Sequence, residues 1–324
     1  MSFLPSADVT AAVVRARLLR EVRTFFAERN FLEVETPVLS ADTIVDRHLD
    51  PPTAELRGVG PARTLYLQTS PEFAMKRLLA AGWPSLYQTT RAFRQAERGP
   101  RHNPEFTIVE WYERGADYER GMQSLSDLCE RLLARGPAER VTYAQAFVTR
   151  AGIDPHAATL DELRRTARER LPEAAASFAS ATAPVDRDAW LDLLLTSLVE
   201  PTLGVGRPTI LCDYPPAQAA LAQVRRGSPD VAERYELYVD GVELANGYHE
   251  LLDPAALEAR NEENHRLRAA DGKPALPTES RLLEAMRSGL PPCAGCALGF
   301  DRVVMLACGA TTIDQVLTFP IERA

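Results

Sequence analysis

The spacing of apolar residues divides the chain into a few strongly patterned stretches. Val14, Leu18, Val22 and Phe25 fall on one stripe at helical spacing and predict an amphipathic helix over 7–29. Phe31–Glu35 then reads as a strand, stopped by Thr36-Pro37. A short strand at Leu65–Thr69 precedes a helix over 71–81, with Pro71 in its first turn, where a missing N–H does no harm. Two apolar runs, Leu86–Phe93 and Phe106–Glu113, bracket a polar segment rich in Arg, Gly and Pro. They predict an antiparallel hairpin whose connection is long for a turn, which marks the loop as functional.

From 117 to 205 the pattern is mostly helical and chemically silent, with Leu125, Leu128 and Leu132 on one face and further helices over 160–170 and 190–198. The alanine-rich stretch 173–184 reads as a loosely constrained surface connection. Strand patterning returns at Thr209–Asp213, Tyr235–Val239 and Val242–Glu250, the last two joined by a tight Asp240-Gly241 turn. Asp253-Pro254 combines a capping side chain with a first-turn proline and starts a helix to about Ala270. A final helix covers Phe300–Cys308. Strands in antiparallel order with flanking helices predict an α+β fold on one antiparallel sheet, read as a single domain over 1–324.

Composition narrows this picture. With 45% hydrophobic and 25% charged positions, the chain is an ordinary globular one with a large core. A net charge of −8 argues against a broad nucleic-acid-binding surface, although a local basic patch remains compatible with it. No apolar run approaches the roughly 20 residues of a membrane span. The opening Met-Ser-Phe-Leu-Pro-Ser-Ala-Asp lacks the basic and apolar regions of a secretion signal, so a cytoplasmic protein is expected. Five cysteines, an odd number, suit a reducing compartment. Cys293 and Cys296 form a C-x-x-C with no second pair, and read as small buried thiols in preference to a metal site.

The candidate chemistry lies in two arginine-bearing segments far apart in the chain. In Arg91–Tyr112, Arg94 ends a strand and is followed by Arg98, Arg101, His102 and then Phe106. A lone arginine would be a surface cation, but several donors converging beside an aromatic ring suit a triphosphate and a stacked base. In Gly295–Leu306, Arg302 lies in the first turn of a helix whose amides face a glycine-lined space, a natural anion site. Glu243 and Glu250 flank Leu244-Ala245-Asn246-Gly247-Tyr248-His249. Period two puts them on opposite strand faces, and a bulge at Gly247 would bring them together. There they would hold Mg²⁺ on phosphate oxygens or the ammonium of a substrate; solvated strand glutamates are the plainer alternative. Ser70-Pro71-Glu72, at a strand-to-helix turn, reads on its own as a capping device.

Together these pieces resemble the catalytic domain of the class II aminoacyl-tRNA synthetases, in the lysine branch. Phe31–Pro37 looks like motif 1, Arg91–Tyr112 like motif 2 and Gly295–Leu306 like motif 3, and the resemblance runs from about residue 10 to the end. Within that branch, His102–Tyr112, Glu243–Leu251 and Phe319–Ala324 are most similar to ligases that attach a lysine-type amino acid to elongation factor P. Ala297 stands where lysyl-tRNA synthetases have glycine, which should reshape the amino-acid pocket.

The resemblance implies roles for individual residues. Arg94 would bind the ATP α-phosphate, His102 and Asn103 would contact ATP from the loop, and Phe106 would lie beneath adenine. Arg302 would cover the other adenine face, with Gly299 leaving room for the nucleotide and Glu243 and Leu244 completing its site. Glu243, joined by Glu250, would carry Mg²⁺. Ser70, Pro71, Glu72, Tyr112, Asn246, Glu250 and Ala297 would line the pocket for the lysine-type substrate. One departure is plain: Gln95-Ala96 follows Arg94 where the family has Asn-Glu, so a carboxylate contact to adenine would have to come from Glu97 or be made by backbone. Motif 1 begins near residue 31, which leaves no room for an anticodon-reading domain ahead of it. The expectation is a cytoplasmic homodimeric ligase that uses ATP and Mg²⁺ on a lysine-type amino acid, with elongation factor P as acceptor and no anticodon or membrane partner. A truncated lysyl-tRNA synthetase paralogue and an inactive regulatory subunit are the alternatives.

Overall fold

A computed structural model describes residues 3–58, 60–179 and 186–324. The chain divides into two compact units, one formed by Met1–Ala134 with Glu250–Ala324 and the other by Arg135–His249.

The first unit opens with α1 (Val9–Glu28), capped by Asp8, whose carboxylate accepts from the Ala11 amide at 2.8 Å. Leu18, Val22 and Phe25 of its predicted stripe are buried, with Phe26 beside them, while Val14 is half-buried. Phe26 stacks on Tyr87 at 4.3 Å between ring centroids and also meets Phe31 and Trp111. The stripe is therefore covered by the chain's own core. β1 (Leu32–Glu33) is shorter than the strand expected over 31–35, and both of its residues are exposed. β2 (Leu39–Ser40), β3 (Thr53–Leu56) and β4 (Arg63–Leu67) form a small antiparallel sheet in the order β2-β4-β3. α2 (Glu72–Ala80) follows, then β5 (Leu86–Phe93) and β6 (Glu105–Arg114), which pair antiparallel from Leu86↔Tyr112 to Phe93↔Glu105. β1 pairs parallel with β5. α3 (Tyr118–Leu133) is capped by Asp117.

The second unit begins with β7 (Glu139–Thr142) and α4 (Tyr143–Ala151), and α5 (Leu160–Arg170) follows; α4 and α5 both start on full capping boxes, Thr142 with Gln145 and Thr159 with Glu162. α6 (Pro172–Ala179) is a helix where a loose connection was expected, and the rest of that alanine-rich stretch lies outside the described residues. Alanine's high helix propensity accounts for the difference. After α7 (Arg187–Leu194), the strands β8 (Thr209–Tyr214), β9 (Val224–Arg225), β10 (Val231–Val239) and β11 (Val242–His249) complete the unit. β10 pairs antiparallel with β8, β9 and β11, and β7 runs parallel to β8. Tyr143, Phe147, Trp190, Leu191, Tyr214 and Tyr238 form its core. The Asp240-Gly241 turn has positive φ at both residues, 50° and 68°, as a two-residue hairpin of primed type requires.

The bulge expected at Gly247 lies elsewhere. Register passes from Leu237↔Ala245 to Tyr238↔Glu243, so the extra residue is Leu244. Gly247 pairs normally with Tyr235, and a Cβ there would sit 2.4 Å from the Tyr235 ring. Its glycine serves close packing, not a bulge.

The chain then returns to the first unit with α8 (Pro254–Ala270), capped by Asp253 as expected, and α9 (Arg281–Gly289), which the pattern did not reveal. β12 (Cys293–Gly299) pairs antiparallel with β6, and α10 (Phe300–Ala307) follows directly.

Candidate active site

The alternation of β6 sets the site. Phe106, Ile108, Glu110 and Tyr112 share one face of the strand. On β12 the residues directly opposite are Gly299 for Ile108, Ala297 for Glu110 and Gly295 for Tyr112. Directly opposed residues share a face, so this side of β12 is floored by small residues beside two polar ones. At Gly295 the absence of a side chain is required: a Cβ there would lie 2.1 Å from Glu250 Oε1 and 2.4 Å from Tyr112 Cε1.

Above this floor sits a buried charged cluster. Ser70 donates to Glu110 Oε2 at 2.7 Å and accepts from the Glu72 amide at 3.1 Å, so it both starts α2 and orients Glu110. Tyr112 donates to Glu110 Oε1 at 2.6 Å. One turn into α2, the Lys76 ammonium lies 2.5 Å from Glu72 Oε1 and 2.5 Å from Glu250 Oε2. Glu72, Lys76, Glu110, Tyr112 and Glu250 are all buried. Three carboxylates thus share one resident cation. Burial, reinforced by the Glu72 charge, pushes the Glu110 carboxyl up to about 7. Burial pushes Glu250 to about 8; the Lys76 ammonium opposes the rise and Glu72 adds to it. Lys76 itself would be lowered by burial, but Glu250 and Glu72 outweigh this and hold it protonated. Such a pocket is short of positive charge.

Sequence reasoning named Ser70, Pro71, Glu72, Tyr112, Glu250 and Ala297, and the structure brings them around this pocket, with Pro71 at the N-cap of α2. It gave no role to Lys76 or Glu110. The signals were present: Lys76 is four residues from Glu72 on a helix, and Glu110 is two from Tyr112 on a strand. Glu250, offered as a metal ligand, already has the Lys76 ammonium against it, which fits an ammonium-binding carboxylate better than a metal-binding one.

The other end of the same β6 face carries Phe106, and Arg94, just past the end of β5, lies against it. The Arg94 guanidinium carbon lies 5.1 Å from the centre of the Phe106 ring, and its charge faces Glu97 at 3.7 Å. Its Nε is buried without a hydrogen-bond partner among the described residues. Gln95 is held through its amide by the Asp50 carbonyl at 2.8 Å, and Ala96 adopts a left-handed φ of 63°. The loop then closes a tight turn between Gly99 and His102, whose amides and carbonyls bond both ways at 3.2 Å. His102 Nε2 meets Arg302 Nη2 at 2.7 Å. Burial, and then the Arg302 charge, lower the imidazole pKa and keep it a neutral acceptor. Asn103 is buried; its Nδ2 donates to the Glu105 carbonyl at 2.7 Å and its Oδ1 accepts from the Ile321 amide at 3.0 Å. That side-chain amide shapes the loop that the sequence assigned to the nucleotide.

Arg302 is placed by its neighbour. Asp301 is buried at the start of α10, accepts from Arg15 at 2.6 Å and from the Thr107 amide at 2.6 Å, and so ties α10 to α1 and β6. With Gly299 at the N-cap, Arg302 projects from the first turn towards the loop. Cys293 and Cys296 are both buried in β12, where burial raises their thiols.

The remaining named residues belong to the second unit. Glu243 lies opposite Tyr238, Leu244 is buried, and Asn246 donates to the Tyr248 hydroxyl at 2.8 Å and accepts from Arg234 at 3.3 Å. Glu236 accepts from Arg234 at 2.5 Å, Tyr214 at 2.5 Å and Tyr238 at 2.6 Å. Burial, then Glu236 and Glu243, raise the nearby Glu200 to about 7. Among the described residues no group of three or more His, Cys, Asp or Glu is arranged to hold a metal ion.

The sequence profile of the tRNA synthetases class II (D, K and N) matches residues 8–323. Proteins named elongation factor P--(R)-beta-lysine ligase, from Salmonella typhi, Salmonella dublin and Salmonella enteritidis PT4, are each 46% identical to the chain over 327 residues, covering 99% of it and 98% of the relative. With motif-like segments that converge on one strand face and a profile match along nearly its whole length, the chain belongs to the class II tRNA synthetase family of the D, K and N group.

Proposed function

We propose that the chain is an ATP-dependent ligase that activates a lysine-type amino acid, preferentially (R)-β-lysine, and transfers it to a lysine side chain of elongation factor P. The observation that carries this reading is the buried pocket in which Glu72, Glu110 and Glu250 face a single Lys76. A substrate with two ammonium groups supplies the missing charge, whereas an acidic amino acid would add to the excess. Relatives whose names state this activity, similar over 99% of the chain, support the choice of acceptor.

In the activation step a carboxylate oxygen of the amino acid attacks the α-phosphorus of ATP, pyrophosphate leaves, and an acyl adenylate forms. Arg94 is the group set to offset charge developing on the α-phosphate. Phe106 and Arg302 offer two flat surfaces for a base, and neutral His102 steadies the Arg302 guanidinium. In transfer, the uncharged amine of the acceptor lysine attacks the adenylate carbonyl, AMP leaves, and an amide results. Mg²⁺ is ordinarily carried on nucleotide phosphates with one or two carboxylates. Of the two carboxylates expected to carry it, Glu250 does not fit, because the Lys76 ammonium already lies against it. A cytoplasmic location follows from the proposed acceptor, and the five free cysteines agree with it.

Purified protein, ATP and labelled α-lysine or (R)-β-lysine, offered to elongation factor P and to tRNA, tests the reading. Label is expected on the factor, with the β-isomer preferred about 5- to 100-fold, since the Ala297 methyl changes the pocket by one small group. Label on tRNA with an unmodified factor would establish the truncated-synthetase alternative.

A further inference from the structure

The segment after α10 is built into the loop between β5 and β6. Arg98 Nε donates to Glu322 Oε1 at 2.6 Å, and its Nη2 donates to Glu322 Oε2 at 3.0 Å and Asp314 Oδ2 at 2.8 Å. Two amides reinforce the join: that of Ile313 donates to the Pro100 carbonyl at 2.8 Å, and that of Ile321 donates to the Asn103 side-chain Oδ1 at 3.0 Å. The segment is anchored on its other side, where Ser6 and Ala7 donate to the carbonyls of Thr318 and Leu317 at 2.8 and 3.1 Å. Between the Arg98 and Asn103 attachments the chain makes its tight Gly99–His102 turn and delivers His102 to Arg302. Arg98 also donates to the Gly99 and His102 carbonyls, at 3.2 and 3.3 Å, so it braces the turn from within.

We propose that Asp314 and Glu322 are positioning residues of the nucleotide site, acting through Arg98 to set the 98–103 turn before ATP arrives. The proposal rests on the reading of this loop as the ATP loop. A polar loop ordered only on binding charges its conformational entropy to the affinity for the ligand, and a loop already ordered does not. Each ion pair is partly exposed and weak alone. A bidentate carboxylate, a second carboxylate and two amide hydrogen bonds, one to main chain and one to a side chain, act together on one short turn. Their loss should therefore weaken ATP binding while leaving turnover at saturating ATP intact.

The test is the Asp314→Asn/Glu322→Gln double variant in amino-acid-dependent ATP–pyrophosphate exchange, with hydrogen exchange of the loop followed without ligand. The KM for ATP should rise about tenfold, with kcat and the KM for the amino acid staying within about twofold. Loop amides should exchange faster than in the native protein and regain protection with saturating ATP. Glu322→Asp, which keeps the charge, should stay close to native. If the double variant fails to fold, Glu322→Gln alone should raise the KM about threefold. An unchanged KM and unchanged loop exchange in a folded variant overturn the proposal. Arg302→Ala run alongside separates the two ideas: it should lose exchange activity, and if it keeps normal ATP dependence while folded, the nucleotide reading of the loop falls instead.

Discussion

Gly295 shows how one absent side chain can define a pocket. Because a Cβ there would lie 2.1 Å from Glu250 Oε1 and 2.4 Å from Tyr112, Gly295→Ala must push these two buried side chains apart, in the pocket proposed for the amino acid. Overpacking of this kind costs about 1–3 kcal/mol, so the KM for the amino acid should rise about 5- to 100-fold while ATP binding measured by calorimetry persists. The charges around it make a second prediction. In the ligand-free pocket the Glu110 and Glu250 carboxyls sit at about 7 and about 8, above the ordinary 4.5. Between those limits the folded protein binds more protons than the unfolded chain, so their contribution to stability is present at acid pH and is lost as pH rises through 7 to 8. A diammonium substrate favours the ionised carboxylates and must expel protons on binding. Its affinity should increase from pH 6 to pH 8.5, and calorimetry in two buffers of different ionisation enthalpy should register proton release; uptake would contradict the assignment.

At the scale of elements, the site depends on how α1, β6 and α10 are pinned by Asp301. Its carboxylate accepts from Arg15 and from the Thr107 amide in a buried setting. Asp301→Ala leaves both donors without their acceptor and should cost about 3–5 kcal/mol, seen as a lower denaturant midpoint, whereas the exposed neighbour pair Arg23–Glu33 should be worth under about 1 kcal/mol. Local signals of this type explain what the sequence could and could not show. The Asp253-Pro254 start, the Asp240-Gly241 turn and the β5–β6 hairpin were legible because each is encoded by adjacent residues. The bulge at Leu244 was not, because register is settled by Tyr235 packing against Gly247 on a partner strand. Lys76 escaped because a buried lysine makes sense only once Glu250, distant in the chain, is seen beside it. The bond from the Ile321 amide to Asn103 escaped for the same reason, since it arrives from far along the sequence.

At the scale of the whole molecule, most of the fold class was visible in the order of the motifs, while the division into two compact units was not, since the mostly helical middle stretch has no linker composition to mark it. The apolar stripe of α1 offers no partner surface, since it faces the core, with Phe26 against Tyr87, Phe31 and Trp111. A homodimer would have to use other surface, and Leu32, Leu39 and Trp83 are large apolar side chains left exposed in the same unit. We expect light scattering at micromolar concentration to give twice the mass of one chain, and Leu39→Glu to shift it towards a single mass; a monomeric native protein would end the idea.

The burial of the thiols has a practical side. Cys129, Cys212, Cys293 and Cys296 are buried, and Cys308, at the C-cap of α10, is the partly exposed one. A small alkylating reagent should therefore modify the native protein once and the denatured protein five times. Arg302 lies two turns back along the same short helix. A single fluorophore on Cys308 would then sit about 9 Å along the axis from the guanidinium-bearing turn, by the 1.5 Å rise per residue, and offer an optical reporter of whatever that turn engages, with no cysteine removed by mutation.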